Sequence, residues 1–133
     1  MTAAIRIDVG VGELIDKITI LEIKQEQITV PEKLENIRHE LNLLNQVKAG
    51  LQLSEESARL EKELKTINKK LWDIEDEIRL CESNKRFDEQ FIQLARSVYI
   101  TNDKRCEVKR QINVHHGSQI IEEKSYEEYE ADA

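Results

Sequence analysis

The sequence predicts a mainly α fold, an antiparallel helical bundle or a long helical hairpin, in a single domain over residues 1–133. Three observations carry this. Charged residues make up 35% of the 133 positions, while Gly occurs four times, Pro once and aromatics reach only 5%; that balance favours amphipathic helices over a sheet sandwich. Leu60, Leu64, Ile67, Leu71, Ile74, Ile78 and Cys81 alternate at spacings of four and three, the pattern of a heptad seam. The breaks between the periodic segments are short, and short connections set consecutive helices antiparallel.

The elements follow in order. Ile5, Ile7 and Val9 alternate with other residues and read as a short strand, after which Gly10 and Gly12 free the backbone to turn. Helix 1 is expected over 13–28, with Leu14, Ile18, Leu21 and Ile28 on one face and Ile15, Ile20 and Ile23 widening it. Helix 2 is expected over 31–48. Thr29 and Glu32 have capping-box spacing, Pro31 suits a first turn, and Gly50 marks the stop. Helix 3, capped by Ser54, carries the seam and would run about 29 residues or ~43 Å. Helix 2 is too short to cover all of it, so a second copy of the chain is the simplest partner for the rest; helix 4 is the alternative cover. Ser83 and Asn84 punctuate the next break. Helix 4 is expected over 86–114, with Phe87, Phe91, Leu94, Val98, Val108 and Ile112 on its buried side and Gly117 beyond its end. Residues 119–124 could pair with 5–9 as a short strand pair joining the two ends, and 125–133 read as a mobile acidic tail.

The net charge of −7 is unevenly placed. Residues 119–133 hold Glu122, Glu123, Glu127, Glu128, Glu130 and Asp132 against one base, Lys124, so the body is nearly neutral. A neutral body argues against duplex binding, which needs phosphate neutralisation. Few aromatics argue against a stacking surface for single strands. Cys81 and Cys106 lie far apart and read as reduced thiols of a cytoplasmic chain. No signal-like start and no apolar run near the ~20 residues of a bilayer span is present, so no membrane association is expected.

Two charge patterns could carry chemistry. Asp16 and Lys17 interrupt the apolar run of helix 1. They are either boundary residues, with Asp16 favoured by the helix dipole and Lys17 snorkelling, or, with Glu13, one wall of a polar site. On helix 4, Arg96, Tyr99, Asp103, Arg110 and Asn113, with Cys106 among them, recur at spacings of three and four, and Arg105 intrudes where the apolar seam should continue. Arginine forks suit phosphate or carboxylate, and Tyr99 adds a hydroxyl. The same stripe could instead be a solvated face or a dock for the acidic tail. His39, His115 and His116 lack carboxylate or thiolate partners at ligand spacing, so no metal site is expected. Glu13 and Asp16 with Glu75, Asp76, Glu77 and Glu82 echo the Mg²⁺ carboxylates of all-α nucleotide pyrophosphatases, but acid-rich helices are too common for that spacing to carry an assignment. Trp72, beside the seam, reads as an interface or core anchor. No glycine-rich phosphate loop or nucleophile elbow is present, and no cofactor is expected.

The segments GELIDKITILEIK (12–24), LWDIEDEIRLCE (71–82), FIQLARSVYITND (91–103) and GSQIIEEKSY (117–126) together resemble a family of small helical bacterial proteins, also met in phage, that forms a domain of unknown function. The resemblance implies an association with glycosyltransferase and helical-repeat proteins, hence surface-glycan biology, and implies no catalytic residues. Two functions are therefore expected to compete. One is a non-enzymatic interaction or scaffold protein, most simply a homodimer, acting through coiled-coil-like surfaces and open to a further protein partner. The other is a protein or enzyme that binds a small anion, nucleotide or sugar-nucleotide, its site drawing on Glu13, Asp16, Lys17, Arg96, Tyr99, Asp103, Arg105 and Arg110. A site requires the helix 1 charges and the helix 4 stripe to converge beside a concave pocket; a scaffold has them face solvent or pair off separately.

Overall fold

The computed structural model describes residues 4–130. It contains four helices: α1 (Val11–Gln27), α2 (Pro31–Ala49), α3 (Glu55–Ser83) and α4 (Glu89–His115). A helical bundle is thus the fold. The expected strand pair does not form among the described residues. Ile5 and Ile7 stand 89% and 75% exposed, with no sheet to receive them. A two-stranded ribbon alone is marginal in water, and residues 119–124 instead spend their charged side chains on α4, as described below.

Each helix end has a local cause. α1 begins at Val11, earlier than periodicity suggested, because its first amides are capped from the far end of the chain. Gly12 N–H donates to Asn113 Oδ1 at 2.7 Å and Val11 N–H to Ser118 Oγ at 3.1 Å. Gly10, the N-cap, offers no side chain for this. The Thr29–Glu32 box does not form; Val30 is the N-cap of α2 without a side-chain bond, and Pro31 opens the helix. Ser54 Oγ accepts from Ser57 N–H at 3.1 Å to cap α3. Asp88 Oδ1 accepts from Phe91 N–H at 3.3 Å to cap α4. That cap sets the start of α4 at Glu89 rather than 86. Phe87 is therefore left outside the helix, 54% exposed, and is not part of the buried side. Lys85, at φ 54°, makes the reversal between α3 and α4.

α1 is the hub. Leu14, Ile18 and Leu21 pack against Ile37 and Leu41 of α2. Ile15 packs with Leu60 and Leu64 of α3 and Val108 and Ile112 of α4. Full burial of one such side chain contributes roughly 1.5–3 kcal/mol, and a helix buried on two sides shows the broad apolar face read from the sequence. α2 lies against α1 alone among the helices, tied to α3 by Lys48 and Glu61 at 2.7 Å. The α3 seam is covered by α4 along the hairpin and by α1 at its start. Helix 2 takes no part in covering it, and helix 4, the alternative to a second copy, lies along it. The end of α4 is clipped to the start of α3 by His115–Ser54 and His116–Ser57, each Nε2···Oγ at 2.9 Å. No helix among the described residues is long and apolar enough to cross a membrane.

Two outcomes follow from these contacts. A Cβ on Gly12 would lie 2.4 Å from the Lys109 carbonyl oxygen, which is backbone and cannot swing away. Gly12→Ala should destabilise the fold by about 1–3 kcal/mol in a thermal melt, whereas Gly50→Ala, whose Cβ meets only Val47 O at 3.4 Å, should change it little. Burial, with His115 adding to it, holds His116 below its ordinary value of 6.5. Folding therefore favours the neutral ring. The stability this contributes is complete above the ordinary value and is lost as pH falls through the folded one. Melting temperature should decline on acidification from about pH 7 to 5, less steeply in His116→Gln.

Candidate functional site

α1 turns Asp16 away from both apolar clusters and into the junction with α3 and α4, where it is 1% exposed. A buried carboxylate must be paired and hydrogen-bonded. Arg105 meets it with both prongs, Nε to Oδ1 at 2.9 Å and Nη2 to Oδ2 at 2.5 Å. Asn68 of α3 donates to Oδ1 at 2.9 Å and to Thr19 Oγ1 at 2.9 Å; Thr19 in turn donates to the Asp16 carbonyl at 2.8 Å. Lys109, one turn after Arg105, lies 3.9 Å from Asp16 and 2.7 Å from Glu13. Every buried side-chain nitrogen and oxygen among the described residues has a partner. The boundary reading of Asp16 is thereby corrected, and the intrusion of Arg105 into the apolar seam is explained: it answers Asp16.

The electrostatics agree with the geometry. The hydrogen bond to Asp16 raises the Arg105 guanidinium above its ordinary value, outweighing the cost of burial. Burial is the largest influence on Lys109 and pushes it down, but Glu13, Asp16 and Glu122 together outweigh it and the amine titrates above its ordinary value. Both cations therefore stay charged at neutral pH.

The remaining residues of the expected site divide. Lys17 points the other way and pairs with Glu40 of α2 at 3.2 Å, both exposed. Arg96 bonds Gln93 within its own helix at 3.3 Å. Tyr99, Asp103 and Arg110 lie under residues 119–130, which run back along α4 without helix or strand. Glu123 pairs with Arg110 at 2.8 Å and Glu122 reaches Lys109 at 3.4 Å. Asp103 takes both Lys124 and the Tyr129 hydroxyl, and the rings of Tyr99 and Tyr129 meet edge to face at 5.3 Å. The polar stripe of α4 is thus a dock for the chain's own acidic segment.

Between α4 and this strap lies a cleft of about 310 Å³, lined by Arg105, Lys109 and Arg110 on one side and by residues 122–126 on the other. A second groove of about 440 Å³ opens where α1 leaves the hairpin, floored by Ile20, Ile23, Leu71, Trp72 and Val98. Sequence reasoning found Glu13, Asp16 and Arg105, placed Asn113 in the polar stripe without its role as the cap of α1, and missed Lys109 and Asn68. Lys109 and Asn113 continue the four-residue spacing from Arg105, a signal present in the sequence. Asn68 carries no such signal, because its role depends on which residue α1 brings to it.

A family model described as a family of unknown function, DUF6165, matches residues 5–131. No curated protein and no solved structure matches the chain.

Removing the Asp16 charge leaves Arg105 without its acceptor. Asp16→Asn should cost about 2–4 kcal/mol by denaturant titration. In a double-mutant cycle with Arg105→Gln the two losses should fall well short of additive, since one contact is removed twice.

Proposed function

The chain belongs to the DUF6165 family, and we propose that it is a non-enzymatic helical interaction protein that self-associates through the outer end of its α3–α4 hairpin. The observation that supports this is a mismatch of lengths. α1 has 17 residues and α3 has 29, roughly 26 and 43 Å at 1.5 Å per residue. Ile20 and Ile23 of α1 line one groove with Leu71, Trp72 and Val98. Beyond them α3 and α4 have each other, and the outer end carries Leu80, Phe87 and Ile92 at 62%, 54% and 49% exposure. Exposed apolar side chains on either side of a hairpin turn fit a helical partner. A second copy is the simplest, since a two-fold axis lets one patch serve both sides. The charged cluster at Asp16 is closed by its own partners, which favours a structural role for it. Cys81 and Cys106 are both unpaired, which fits the reducing cytoplasm.

Light scattering at micromolar concentration tests this. The expected mass is roughly twice the chain's 15.6 kDa. The triple variant Leu80→Gln, Phe87→Gln, Ile92→Gln should run at the single-chain mass with unchanged helical circular dichroism. A wild-type particle of one chain's mass refutes self-association.

A further inference from the structure

We propose that the cleft between α4 and the strap of residues 119–130 binds a small multivalent anion of the diphosphate class, and that Glu122 and Glu123 occupy its place in the ligand-free chain. The argument begins with the cations. α4 brings Arg105, Lys109 and Arg110 to one wall of the cleft, and the strap adds Lys124. Three of these cations are fixed on α4 around about 310 Å³, while Lys124 belongs to the strap and pairs with Asp103.

The ion-pair partners of the three α4 cations are of two kinds. Asp16 and Glu13 come from α1, and Asp16, 2% exposed in its side chain, is integral to the fold. Glu122 and Glu123 come from the strap, with side chains 68% and 74% exposed. Ion pairs that open to water contribute little net stability, so these two carboxylates can leave. The strap forms no helix or strand over its length. Its described ties to α4 are side-chain contacts: Glu122, Glu123, the shared acceptor Asp103, and the Tyr99–Tyr129 ring contact.

The strap also shows what shape of charge the wall accepts. Adjacent carboxylates at 122 and 123 take adjacent cations at 109 and 110. A diphosphate presents the same pair of anionic groups at higher charge density, and the guanidinium of Arg110 is a planar fork matched to phosphate oxygens. Lys109 is held cationic by Glu13 and Asp16 as well as by Glu122, so it remains charged after the strap leaves. The volume is that of a small-ligand pocket and is too small for a helix or a duplex. The strap carboxylates are therefore internal competitors, and an anion that outbids them displaces Glu122 and Glu123 from Lys109 and Arg110 and loosens the strap.

Calorimetric titration of the full chain with inorganic pyrophosphate, at constant ionic strength, tests the proposal. Three proteins are compared: wild type, Glu122→Gln/Glu123→Gln, and Arg110→Gln. Arg110 is chosen because it lies outside the Asp16 cluster, so its loss leaves the fold intact by circular dichroism. The strap variant should bind roughly three- to tenfold more tightly than wild type, and Arg110→Gln weaker by a similar factor. Pyrophosphate should also speed tryptic cleavage after Lys124, a readout that a purely structural strap would not move. Binding confined to the strap variant supports the proposal as well, since it shows the competitor at work. Absence of binding in both wild type and strap variant overturns it, as does an affinity unchanged by the strap substitutions. Equal affinity for orthophosphate overturns the diphosphate class.

Discussion

The architecture depends on one ion pair, Asp16 with Arg105. Burying a lone carboxylate in a helical core is prohibitive, and Asp16 is buried nearly completely. α1 is therefore held to the one register in which that carboxylate meets the Arg105 fork, Asn68 and Lys109 together. A slip of one residue would turn it about 100° to where Ile15 now packs, against Leu60 and Leu64. The apolar contacts alone are less selective, because Leu and Ile tolerate exchange of neighbours. Charge here chooses among packings that hydrophobicity would accept.

The second constraint is steric and acts at the start of α1. Gly12 lies so close to α4 that a methyl group would meet the Lys109 carbonyl, and Gly10 is hemmed in by Asn113 and Ile120. This approach lets Asn113 and Ser118 supply the acceptors that the first turn of α1 lacks. Capping from a distant helix links the two ends of the chain. The same short stretch of α4 thus holds α1 by a cap, by Lys109 and by Arg105, each about one turn from the next.

α4 consequently serves two neighbours. One face carries Arg105, Lys109, Ile112 and Asn113 toward α1 and α3; the adjacent face carries Tyr99, Asp103 and Arg110 toward the strap. The buried side is fixed by a charge that cannot leave, whereas the strap side is held by exposed pairs. The proposed exchangeable surface lies along the strap, and the proposed apolar contact surface lies at the far end of the hairpin with the exposed Leu80, Phe87 and Ile92. The two proposed binding surfaces are spatially separate and rest on different residues.

By itself the sequence determined the four helices and most of their limits. The four-and-three spacing from Leu60 to Cys81, the Ser54 cap and the stops at Gly50 and Gly117 are local properties, and local geometry decides them. It also marked Asp16, Lys17 and Arg105 as charges at odds with their apolar surroundings. It did not reveal that Asp16 is interior, that Asn68, Lys109 and Asn113 complete its surroundings and cap α1, or that α4 rather than α2 covers the seam. Those facts join residues 50 to 100 positions apart, and helical periodicity carries no information about which faces meet. The strand pair failed for the same reason: alternation in residues 5–9 is a local signal, but a strand exists only where a neighbour supplies its hydrogen bonds, and the tertiary structure commits the charged side chains of residues 119–124 to charged partners on α4.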